Sequence, residues 1–199
     1  MRTLLIARLT VDEAFRRKVI LAVMLLSLVF LALYFFGFQV LRDDLIRFRE
    51  ERLGRSDDLL PYEAQASAMV LMGLYTVNFL AGVMTIFAAV GTISGEIESG
   101  VLQAILPKPL SRWEIIAGKY LGFLSMITIY LALMVGSVVA ISRFAGDYTP
   151  PNILRGWLLM VLVSAILLAL TMLGSTIFST MANGIVALML YGMALTGGL

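Results

Sequence analysis

The sequence predicts an all-α, polytopic helical membrane protein with about five spans and an amphipathic helix ahead of the first. Three observations predict it. Long apolar runs recur along the chain, and about 20 apolar residues in a helix cross a bilayer core of about 30 Å. The chain is 60% hydrophobic and only 14% charged, where soluble domains average about 45–50% and about 25%. In residues 1–18, Leu4, Leu5, Ala7, Leu9, Val11 and Phe15 alternate with Arg2, Arg8, Asp12 and Arg16. That is the pattern of a helix lying in the membrane interface.

Arg16, Arg17 and Lys18 form a basic cluster before the first span, which runs about Val19 to Phe38 without a charge. The run is too long for the apolar region of a signal peptide, and no small-residue cleavage site follows it closely. Leu41 to Ser67 is charged. Leu41, Leu45, Ile46, Phe48 and Leu53 leave a faint helical stripe that Gly54 ends, and Asp57 and Asp58 mark a restart before Leu59, Leu60 and Pro61. The stretch reads as a solvated loop with helical character. The second span runs about Ala68 to Ile93, and the third begins near Trp113 and reaches Ile141. Pro150 and Pro151 then stop any helix, and Asn152 is placed to cap the fourth, about Leu154 to Phe178. Residues 179–184, STMANG, read as a tight turn. A fifth apolar run follows from Ile185 to Leu199, only 15 residues. It ends without the basic or aromatic flank of a membrane exit. The expectation is a chain cut inside a membrane region, or else a half-inserted C-terminal helix.

With the N-terminus inside, eight Lys and Arg fall on the cytoplasmic side and seven outside. Only the Arg16–Lys18 cluster tips the positive-inside rule, and it places the N-terminus in the cytoplasm.

Neither cysteine nor histidine occurs. Disulfides, haem axial histidine and His- or Cys-ligated zinc are therefore excluded within the chain, as is Ser-His-Asp or Cys-His catalysis. Twelve methionines include Met69 and Met72 at i, i+3. Without Cys or His they read as apolar filler rather than a soft-metal site, so no metal or cofactor is expected here. The net charge of +2 without a long basic tract gives no footprint for nucleic acid. Span interiors hold no titratable acid or base apart from tyrosines such as Tyr75 and Tyr130. An intramembrane enzyme and an ion-coupled secondary transporter both lack the groups they need. The intramembrane polar residues are Asn78, Thr85, Ser125, Thr128, Ser137, Ser164, Thr171 and Ser175. Each reads first as a helix–helix bond or a bond back to its own helix; Asn78 is the candidate for lining a path.

The segment Gly91–Gly122, GTISGEIESGVLQAILPKPLSRWEIIAGKYLG, interrupts the apolar pattern. It holds Glu96, Glu98, Lys108, Arg112, Glu114 and Lys119. A charge at a span centre costs roughly 2.5–3.5 kcal/mol, so six would cost on the order of 15–20 kcal/mol. The segment must leave the hydrocarbon. Ser94 or Gly95 caps a helix with Glu96 and Glu98 in its first turn, where carboxylates suit the helix dipole. Ile97, Val101, Leu102, Ile105 and Leu106 then form one apolar face. Pro107 and Pro109 break the helix. Ser111-Arg112-Trp113-Glu114 is a capping box that opens the next one. Gly91-x-x-x-Gly95 and Gly118-x-x-x-Gly122 add packing signals at the membrane edge. Periodicity leaves two readings open: a helix lying in the headgroups, or one that docks a cytoplasmic partner.

The run Ser94–Gln103 (SGEIESGVLQ), then Leu106–Arg112 (LPKPLSR) and Gly118–Gly122 (GKYLG), resembles the permease subunits of ABC-2 type transporters. The first part is similar to that family's GE-x-E-x-G-x-L signature. The second is similar to its L-x-x-P-x-S-R-x-x-x-x-x-G-K continuation. The resemblance implies one transmembrane permease domain over residues 1–199, six spans where this chain supplies about five, and both termini in the cytoplasm. It implies pairing with a second permease copy and a place in the cell membrane. Residues 94–111 become the coupling helix that docks an ATP-binding subunit, with Glu96, Ile97, Glu98, Val101, Leu102 and Ile105 at the docking surface.

The chain has no G-x-x-x-x-G-K-[ST] phosphate loop, so ATP and magnesium are expected in the partner subunit and no catalysis in this chain. The expected function is the permease half of an ATP-driven transporter. The alternative is a membrane scaffold or assembly factor whose cytoplasmic helix recruits a partner that is not an ATPase.

Overall fold

The computed structural model describes Thr10, residues 18–51, residues 62–92, Ser94 and residues 112–197. Among these the chain is helical, with five long helices: α1 (Lys18–Glu51), α2 (Tyr62–Ala89), α3 (Arg112–Gly146), α4 (Ile153–Ile177) and α5 (Thr180–Gly197). Each is long and apolar enough to cross a membrane. The N-terminal interfacial helix falls outside the described residues, apart from Thr10 and Lys18.

The apolar runs become helices because a backbone in hydrocarbon must satisfy its own hydrogen bonds. The apolar part of α1, Ile20–Val40, matches the expected first span. The helix then continues to Glu51, along the faint stripe read in the charged stretch. Arg112 opens α3 with Glu114 in its first turn, where the capping box places it.

Three expectations are corrected. The second span was expected to reach Ile93. Its helix ends at Ala89, and the Thr92 amide closes a turn on the Ala89 carbonyl at 3.1 Å. Asn152 does occupy the N-cap of α4, but at φ 58° and ψ 29° with no side-chain cap bond. A capping side chain needs extended backbone to reach the first-turn amides. The Asn152 carbonyl instead accepts from the Arg155 and Gly156 amides at 3.0 and 3.2 Å. STMANG is not a turn. Only Phe178 and Ser179 lie between α4 and α5, and the Ser179 carbonyl takes the Asn183 amide at 2.9 Å. Starting at Thr180 makes α5 an 18-residue helix rather than a short run from Ile185.

The helix pairs that pack most closely place α2 at the centre, touching all four others, with α3 beside it. α1 rests on α2 and α3, while α5 rests on α4 and α2. Burial agrees: half of the span of α2 is buried, against 22% for α1 and 17% for α5. Small residues let α2 serve as the hub. Ala81, Gly82, Ala88 and Ala89 are buried on it, and in lipid close backbone approach replaces the hydrophobic drive. Gly73 and Gly82 form two notches: the Tyr34 ring of α1 fills the first and the Tyr191 ring of α5 the second. Tyr191 also stacks on Phe79 at 6.5 Å.

Most intramembrane hydroxyls bond back to their own helix as expected. Thr85 donates to the Ala81 carbonyl at 2.7 Å, Thr128 to Leu124 at 2.7 Å and Thr171 to Leu167 at 2.8 Å. Ser27 and Tyr130 form a hydroxyl pair that crosses between α1 and α3. Ser27 donates to its own Val23 carbonyl at 2.8 Å, which leaves Tyr130 as the donor in the 2.6 Å contact between the two hydroxyls. A double-mutant cycle of Ser27→Ala and Tyr130→Phe is expected to give a coupling of about 0.6 kcal/mol, and below about 1.7 kcal/mol, by unfolding in detergent. Additive single losses would show that the contact contributes nothing.

Candidate coupling site

The segment that leaves the membrane returns to the end it left, and four backbone segments meet there. They are the turn after α2, the start of α3, the last turns of α4 and the first turn of α5. Lys119, two turns into α3, reaches the Thr92 carbonyl at 3.2 Å. Its ammonium thus sits at the C-terminal end of α2, where the helix dipole favours a cation. The long apolar stem of lysine lets it do so from within an apolar helix.

Two further bonds tie the exit of the segment to α5. The Ser94 and Thr180 hydroxyls meet at 2.8 Å. Asn183 is 2% exposed, and its Nδ2 donates to two carbonyls: Val90 at 3.1 Å and Thr171 at 3.0 Å. One side chain therefore joins the end of α2 to α4 from a position on α5. Gly174 makes the room, since a Cβ there would overlap the Asn183 amide. Val90 and Thr180 also press on Gly184 and Gly91, where a Cβ would lie 3.2 Å from each. In the membrane such amide bonds are specific because hydrocarbon offers no alternative partner.

The docking residues Glu96, Ile97, Glu98, Val101, Leu102 and Ile105 lie outside the described residues. The structure describes parts of the two stems that carry them: residues 90–92 with Ser94, and residues 112–119. Asn78 is half-buried in the middle of α2, and its carbonyl accepts the Tyr191 hydroxyl at 2.8 Å. Its place in the structure is thus beside the α2–α5 contact.

Sequence reasoning missed Asn183 and Thr180, having assigned both to a turn. It also gave Ser94 only a capping role. The one usable signal was an asparagine at the head of an otherwise apolar run, since an amide there needs buried partners.

Comparison with known families decides what kind of protein carries this arrangement. The sequence model of the family described as "ABC-2 family transporter protein" matches residues 4–197. The chain belongs to the ABC-2 transporter family. It is a multi-pass membrane component of a transporter, and the permease role expected from Ser94–Gly122 holds. No match was found for this permease among curated proteins. Family membership gives the cluster around Asn183 a context: it lies where an ABC-2 permease leaves α2 and re-enters at α3.

Proposed function

We propose that the chain is the membrane-spanning half of an ATP-driven transporter, energised by a separate ATP-binding subunit that docks on residues 94–111. Glu96 and Glu98 meet basic groups of that subunit, and Ile97, Val101, Leu102 and Ile105 fill its groove. The N-terminus and this segment face the cytoplasm of the cell membrane, and two permease copies pair around a path that Asn78 lines. The observation that carries the reading is the clamped exit and re-entry of the segment. A helix that only floats in the headgroups has no need of an exit bonded to α5 and a re-entry bonded to that exit. The chemistry of the chain supports it from the other side: no phosphate loop is present, and acids and bases are absent from the span centres. Energy must then arrive from outside the bilayer. The test is release of the ATP-binding subunit when Glu96 and Glu98 are reversed to lysine; a subunit that stays bound contradicts the docking role.

A further inference from the structure

Asn183 has a place in this machinery that the family match does not assign. Its amide is buried, it serves one carbonyl just past the end of α2 and one on α4, and a glycine is set aside for it. Two nearby contacts repeat the connection, Ser94 to Thr180 and Val90 against Gly184, and Lys119 ties the start of α3 to the Thr92 carbonyl. These links leave the stems of the segment little freedom relative to the α4–α5 turn. By contrast α5 touches the rest of the bundle through a narrow surface and is the least buried span. A push on the exit stem therefore passes into the head of α5, which is tied to α2 further along by the Tyr191 ring in the Gly82 notch.

We propose that Asn183 is a positioning residue for energy coupling: together with the Lys119 bond to Thr92 it makes the α2 exit turn, the start of α3 and the α4–α5 turn one rigid body. Movement of residues 95–111 by the ATP-binding subunit then tilts α5 in the membrane. The amide is suited to this because its two donated bonds span three helices at once. A hydroxyl has one proton and holds one carbonyl. This inference rests on the docking reading above.

The test uses the full permease in complex with its ATP-binding subunit, in lipid nanodiscs. The chain contains no cysteine, so introduced thiols are unique within it. In Ser94→Cys/Thr180→Cys, thiols replace two hydroxyls that touch at 2.8 Å. Disulfide formation is expected to proceed within about twofold of the same rate without nucleotide and with ATP plus vanadate. A rate that collapses about tenfold in either state shows that the two elements part during the cycle, and overturns the single body. The second arm places a spin label at Met193→Cys, exposed on α5, and follows its lipid accessibility on adding ATP and vanadate. Asn183→Ala is expected to reduce that response at least fivefold while the ATP hydrolysis rate of the complex stays within about twofold. Gln in place of Asn183 is expected to recover part of the response. An undiminished response in Asn183→Ala overturns the role of the amide. Failure of the docking reading looks different: there, reversal of Glu96 and Glu98 leaves the subunit bound and the label responding as before.

Discussion

The pair Glu96→Lys/Glu98→Lys is expected to weaken association with the ATP-binding subunit at least about tenfold, and to abolish nucleotide-dependent movement of the permease. Two separate costs produce the effect. Carboxylates in a first helical turn favour that turn by about 0.3–1 kcal/mol each through the dipole, and lysines there oppose it. In the proposed docking, each lysine would face a basic group in place of an ion pair, and such juxtaposition costs several kcal/mol when desolvated. A drop of about 1.4 kcal/mol is already tenfold, so the expected loss is conservative. The neutral pair Glu96→Gln/Glu98→Gln removes attraction without adding repulsion and is expected to fall between the two. Binding measured against salt checks the origin. The wild-type interaction is expected to weaken as ionic strength rises, and the glutamine pair to show a flatter dependence. Equal affinities for all three proteins would place the carboxylates away from the docking surface.

Gly82→Leu is expected to destabilise the bundle by about 1–3 kcal/mol, the usual cost of forcing atoms into a packed interior. A Cβ at Gly82 would occupy the Tyr191 ring. That ring cannot move aside freely, because Phe79 stacks on it and the Asn78 carbonyl holds its hydroxyl at 2.8 Å. The added side chain must therefore push α5 from α2. The same substitution at Gly136 has nothing within 4 Å, and is expected to change stability by less than about 0.5 kcal/mol. Adding Tyr191→Ala to Gly82→Leu is expected to recover stability, since the removed ring leaves room for leucine. Unfolding midpoints in detergent, read by helical circular dichroism, check all three. Equal losses at Gly82 and Gly136 would mean that the notch does not hold α5.

The spans were legible because apolar length alone decides whether a helix crosses lipid. The start of α3 at Arg112 was legible from local pattern, whereas the faint stripe after Leu41 only hinted that α1 runs on to Glu51 through a stretch read as a loop. What escaped was whatever depends on a partner distant in sequence. Asn183-Gly184 carries a local turn signal, yet carbonyls of Val90 and Thr171 accept the amide and keep it within a helix. The α2 notches at Gly73 and Gly82 take their meaning from Tyr34 and Tyr191, on helices that no periodicity assigns as neighbours. Asn152 reads as a cap by residue type, but its left-handed backbone, not its side chain, makes the entry to α4. For the candidate site, family pattern gave the segment 94–111, and only tertiary structure gave its anchorage to α5.

Purification of the intact permease from native membranes, followed by identification of the chains that co-elute and of their ATP hydrolysis, tests the central claim most directly. The expected result is a stoichiometric chain bearing a phosphate loop, hydrolysing ATP, and lost when Glu96 and Glu98 are reversed. A permease that elutes without a nucleotide-binding chain, or with one that the reversal leaves bound, would contradict an ATP-driven transporter coupled through residues 94–111.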